Sequence, residues 1–168
     1  MAGFVRVERE DRVALGQFNY EKFNLRVYVP LWWKNSSNID HKNGYVLRFE
    51  SEGCAFTVFG VECPVDLRHL PEAERLQLAT DFFREEMLPA AMKGDRPFLE
   101  RPVIFIHAPG RWSVYDGTSD GKSARFHLFT HVEPELWLCW GYLHTDPDDW
   151  AAGGRLFELV SNLIQRIR

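Results

Sequence analysis

What this sequence lacks narrows the field first. None of its apolar runs approaches the roughly 20 residues of a membrane-spanning helix. The first stretch carries Arg6, Glu8, Arg9, Glu10 and Asp11 where an export signal would need an apolar core. Membrane insertion is therefore not expected, and a cytoplasmic location is. Neither charge sign forms a block. Twenty basic against 24 acidic side chains leave a net charge of −4, and no run could track a phosphate backbone, which argues against nucleic acid as a partner. Cysteine is sparse: Cys54, Cys63 and Cys139 are odd in number and include no CxxC pair, so they read as small buried hydrophobes. A disulfide between Cys54 and Cys63 would need their strand to bend back, and a reducing compartment works against it. GxSxG, HExxH and a glycine-rich strand-to-helix loop are all missing, so no catalytic residue is assigned and no cofactor is expected. With no repeat, linker or low-complexity tract, residues 1–168 read as one domain.

What is present is a ring-rich composition, 14% aromatic within 45% apolar, enough to build a core. Gly3 to Tyr20 alternates weakly and predicts one or two short strands. In "FNLRVYVP" Phe23, Leu25, Val27 and Val29 share one face and Asn24, Arg26 and Tyr28 the other, with Pro30 ending the ladder. A polar connection follows, with a turn signal at Asn43-Gly44. Tyr45 to Glu50 and Cys54 to Cys63 then read as a hairpin around Ser51, Glu52 and Gly53. Between Pro64 and Met92 the period changes. Leu76, Ala79, Phe83 and Met87 fall at helical spacing, while Glu74, Arg75, Arg84, Glu85 and Glu86 lie mostly on the other side. Pro71 suits its first turn and Lys93-Gly94 its end. Strands resume at Pro97 to Ile106, with a turn expected at Pro109-Gly110.

Asp120-Gly121 suits the positive φ angles of a two-residue hairpin turn. It sets Ser119 opposite Lys122, Asp116 opposite Arg125, Val114 opposite His127 and Trp112 opposite Phe129, so a charge pair and a ring pair fall into place together. A second turn at Val132 to Glu135 would place His127 opposite Trp140, Arg125 opposite Tyr142 and Phe129 opposite Leu138. The stretch "ARFHLFTHVEPELWLCWGYLHT" carries apolar residues at both alternating sets of positions. A strand pair of that kind is covered on both sides, with Phe126, Leu128 and Cys139 facing one layer and Phe129, Leu138 and Trp140 the other. The last segment predicts a helix capped by Asp146 or Asp148, its stripe running through Leu156, Val160, Leu163 and Ile167 beside Phe157 and Ile164. A kink or a start is expected at Gly153-Gly154. The fold class is α+β, an antiparallel sheet flanked by helices on both faces, an α/β/α sandwich.

The early "VYVPLWW" strand and turn, the helix "EAERLQLATDFFREEML", the meander "RPVIFIHAPGRWSVYDG…SARFHLF" and the ending "LWLCWGYLHTDPDDW…LFELVSNLI" together resemble PsbP-like domains, a grouping that also holds DcrB-type bacterial proteins. The resemblance covers about residues 20 to 168. It implies a bacterial accessory, adaptor or immunity-type factor that binds another protein, and supplies no catalytic residues. The absence of a lipobox departs from many DcrB-type chains.

On the residues themselves, two sites compete. Trp32 and Trp33 follow Pro30, and neighbouring side chains on an extended segment point apart. Tryptophan is enriched at binding hot spots, so Tyr28, Trp32, Trp33, Lys34 and His41 form a proposed partner surface. The alternative is a small enzyme or ligand-binding domain whose pocket is lined by His107, Trp112, His127 and Trp140. A metal is not expected. His127 and His131 stand about 13 Å apart along one strand, too far to ligate one ion. Asp146, Asp148 and Asp149 lack the spacing and glycine of a calcium loop.

Overall fold

The protein was analysed as a computed structural model, which describes residues 2–6, 12–21, 24–36, 45–93, 97–105 and 108–167. Among them two antiparallel sheets form. The smaller one takes β1 (Ala2–Arg6), β2 (Arg12–Tyr20), β3 (Leu25–Pro30) and, from the far end of the chain, β11 (Gln165–Arg166), in the order β1-β2-β3-β11. The larger takes β4 (Lys34–Asn35), β5 (Tyr45–Ser51), β6 (Cys54–Glu62), β7 (Pro97–Phe105), β8 (Ala108–Ser119), β9 (Lys122–Val132) and β10 (Leu136–His144). Its order is β4-β5-β6-β10-β9-β8-β7. Helix α1 (Glu72–Ala91) carries the chain from β6 to the opposite edge, from which β7 to β10 meander back to pair with β6. Helix α2 (Trp150–Leu163) follows β10. The Asn43-Gly44 turn and Phe23 lie outside the described residues.

The β8–β9 hairpin forms in the expected register. Asp120 and Gly121 both have positive φ, 50° and 77°, and the pairs Ser119 with Lys122, Asp116 with Arg125, Val114 with His127 and Trp112 with Phe129 are all made. The next hairpin differs. Glu133 N–H bonds to Leu136 C=O at 2.8 Å, so Pro134-Glu135 is the two-residue turn and every β9–β10 pair moves by two. His127 faces Tyr142, Phe129 faces Trp140 and Arg125 faces His144. A slip of two leaves each side chain on its own face, so the two alternating sets survive. Phe126, Leu128 and Cys139 belong to a buried cluster with Ala79, Phe83 and Leu88 of α1. Phe129, Leu138 and Trp140 belong to a second, with Leu25, Val27 and Val29 of β3 and Phe157, Val160 and Ile164 around α2. Each fully buried ring or aliphatic side chain contributes about 1.5–3 kcal/mol.

Three further expectations are corrected. Pro109 and Gly110 make no turn. They lie inside β8, paired with Ile104 and Val103, and a Cβ on Gly110 would fall on the carbonyl of Thr130 and the ring of Phe129, so glycine is there for close backbone approach. Arg75 leaves the polar face of α1: it is buried, its guanidinium donating to Leu70 C=O (3.1 Å) and Glu133 C=O (2.8 Å). Finally, α2 starts before Gly153-Gly154 and ends at Leu163, which leaves Ile167 outside it. Strand β7 is the long free edge of the larger sheet. It exposes Phe98 and Ile104 but interrupts its donors with Pro97 and Pro102 and carries Glu100 and Arg101 between them.

Candidate functional site

The turn that leaves β3 sorts the two tryptophans. Pro30 C=O accepts from Trp33 N–H at 3.1 Å, and Leu31 N–H donates to Ala14 C=O at 2.9 Å. This closed turn drives Trp33 inward, where it is 4% exposed and stacks between Phe56 (5.5 Å) and Tyr142 (5.6 Å). Trp33 is therefore core and not partner surface, a correction to the sequence reading: one of two adjacent residues had to point in, and the aromatic slot selects it. Leu31 and Trp32 are left 54% and 56% exposed. Nearby Tyr28 is half-buried, its hydroxyl donating to Gln17 Oε1 at 3.1 Å. Lys34 is exposed on the two-residue edge strand β4. His41 lies outside the described residues.

The expected histidine and tryptophan pocket is partly assembled but filled. Trp112, His127 and Trp140 are buried, at 6%, 4% and 1% exposure, and His107 lies outside the described residues. Trp112 Nε1 is a donor only, so its 3.2 Å contact with His127 Nδ1 makes that nitrogen an acceptor and puts the His127 proton on Nε2. Nε2 in turn lies 3.2 Å from Nε2 of His144. The proton of His144 is then on Nδ1, which has no hydrogen-bond partner among the described residues. Phe157 of α2 stacks on His127, ring centres 5.2 Å apart. Trp140 instead donates to Ser161 Oγ at 2.7 Å. Burial, reinforced by His144 and by Arg125, holds His127 down at about 3. Burial, then Arg125, holds His144 at about 4. Both rings are neutral near pH 7.

Arg125 closes this cluster toward solvent. Its guanidinium makes two bonds to Asp116 (2.8 and 3.1 Å) and lies between the rings of Phe98 (4.5 Å) and Trp150 (4.4 Å). Cys54 lies opposite His144 and Tyr142 against both imidazole rings, and burial raises the pKa of both. The pocket expected from the sequence did not include His144, nor Gly153, where a Cβ would fall on the His144 imidazole. His144 shares the alternating set of Trp140 and Tyr142, so continuing that set by one residue finds it.

Among the described residues, two clefts lie elsewhere. One of about 390 Å³ opens between the last turns of α1 and strands β5 and β6, over Phe59, Met87 and Phe126. Another, of about 530 Å³, is rimmed by Arg68, Glu133, Glu135 and Arg166. Neither is lined by Trp112, His127 or Trp140. Among the described residues no group of three or more His, Cys, Asp or Glu could hold a metal ion, and no helix is long and apolar enough to cross a membrane.

No protein-family profile and no curated protein sequence matches the chain. Solved structures do match. The PsbP protein of the cyanobacterium Synechocystis sp. PCC 6803, CyanoP, superposes with a TM-score of 0.67 at 13% identity, over 95% of this chain and 96% of its own. LpqN of Mycobacterium tuberculosis, described as involved in cell envelope biogenesis, gives 0.57 at 11% identity, over 98% and 90%. A protein of Bacteroides thetaiotaomicron gives 0.56 at 10% identity, over 90% and 48%. At these identities the likeness concerns the fold, and the fold is PsbP-like.

Proposed function

We propose that this chain is a non-enzymatic accessory or adaptor protein that binds another protein through the turn after β3, with Leu31 and Trp32 as the apolar centre of the contact and Tyr28 and Lys34 at its rim. The observation that carries this reading is the exposure of Leu31 and Trp32 beside a Trp33 that is locked in the core. An exposed tryptophan on a turn pinned by its neighbour loses little conformational entropy on binding, which is what a hot spot needs. The same reading takes the chain as one domain and α1 and α2 as covering opposite faces of the larger sheet, since the two alternating residue sets fall in clusters with different helices.

The test compares the full chain with a Leu31→Ser/Trp32→Ala variant whose circular dichroism and melting temperature match it. Each is used as bait in the native host, with quantification of what is retained. The expected result is one protein held at near-equimolar amount by the unaltered chain and lost by the variant. A partner held equally by both, or none with either, defeats the reading.

A further inference from the structure

The contact between His127 and His144 satisfies both rings only while each is neutral. Their facing nitrogens are 3.2 Å apart, with one donor and one acceptor. A proton added to His144 Nε2 sets N–H against N–H, and one added to His127 Nδ1 sets N–H against the Trp112 donor. Neither charged ring can be accommodated where it stands.

The surrounding groups give no relief. Strand β9 places Arg125 directly opposite His144, and this cation raises the cost of a second positive charge. Asp116 of β8 is occupied by both bonds to Arg125. Strand β6 brings Cys54 opposite His144, and Tyr142 of β10 lies beside both rings; burial keeps these two groups protonated and neutral. Asp116 and, in the connection to α2, Asp146 favour a charge on His144, but the first is held by Arg125 and the second is exposed to solvent. Arg101 of β7 lies over the far side of Trp112, 4.9 Å from its ring. What α2 itself lays on the imidazoles is Trp150, Gly153, Gly154 and Phe157, none of which can accept a hydrogen bond from them through a side chain. A charged ring therefore finds no acceptor on α2, and lifting this part of α2 would open it to water.

We infer that the His127–His144 pair is an acid-sensitive latch, holding the first two turns of α2 on the larger sheet while both rings are neutral and releasing them when either is protonated. The low values of both histidines in the docked state agree with this geometry. Once α2 lifts, the imidazoles lose the burial it imposes and take up protons more readily, so the undocked population rises as pH falls, by up to about tenfold per pH unit for each proton taken up.

Hydrogen exchange of the full chain at about pH 7.5 and about pH 5, corrected for intrinsic rates, tests the latch. Peptides covering Trp150–Leu163 should lose protection by at least about tenfold at the lower pH, while the β8–β9 hairpin keeps its own. A His127→Phe/His144→Phe variant should retain α2 protection at both values. If that variant does not fold, proton NMR of the unaltered chain decides instead. Histidine resonances that shift together with the α2 amides support the latch. Unchanged α2 protection down to about pH 4, a variant that loses protection as the native chain does, or rings that titrate while α2 stays docked would each overturn it.

Discussion

At the residue scale, neighbouring positions of one type meet opposite fates, and the neighbours decide which. At Gly153 a Cβ would fall on the His144 imidazole, whereas at Gly154 it would stand 3.5 Å from His127 Cε1, an ordinary contact. In a bare helix alanine is preferred over glycine by about 1 kcal/mol. Gly154→Ala should therefore stabilise by up to about that amount, and Gly153→Ala should destabilise by about 1–3 kcal/mol through overpacking. Urea denaturation of the two single variants reads both signs. The tryptophans behave likewise. Trp33→Ala should cost about 3–5 kcal/mol, as emptying an aromatic slot does, and Trp32→Ala should stay within about 0.5 kcal/mol, measured by thermal melting. That one of the pair points outward was legible in the sequence. Which one was not, because the slot between Phe56 and Tyr142 is built by strands far along the chain.

Elements become legible when local chemistry pins them. The β8–β9 register could be read because Asp120-Gly121 admits one turn, and that turn aligns Asp116 with Arg125. Around Pro134 the turn could be closed at Val132 or at Glu133, and nothing nearby chooses. The hydrogen bond from Glu133 to Leu136 does so, at the cost of hiding the contact between His127 and His144. The smaller sheet was out of reach for another reason: its β3–β11 ladder joins Leu25 and Arg26 to Arg166 and Gln165, two residues with no pattern of their own. The histidine pair makes α2 docking, and with it stability, dependent on pH. Both folded-state values, about 3 and about 4, lie below that of a free imidazole, so the unfolded chain binds more protons at acid pH. The contribution is complete above about pH 6.5 and falls as pH drops toward about 4, by at most about 2.7 kcal/mol per unit for two protons. Urea midpoints measured across that window should move downward with acid, and a flat profile would contradict the buried neutral pair.

For the whole molecule, the fold was approachable from element order and from the two apolar residue sets, while function was not. A fold does not by itself assign a function, so the candidate contact rests on the exposure of Leu31 and Trp32. The larger sheet is also defined by how it stops. One end is the two-residue β4, and the other is β7, nine residues long with Pro97 and Pro102 among them. A proline offers no donor to a joining strand, and Glu100 and Arg101 add charge where a joining strand would lie. Pro102→Val should leave the melting temperature nearly unchanged yet raise light scattering on prolonged warming at high concentration; equal scattering from both chains would count against this role. With Phe98 and Ile104 exposed on the same strand, β7 has the composition of a fibril seed, and two imino acids keep it from recruiting the next molecule.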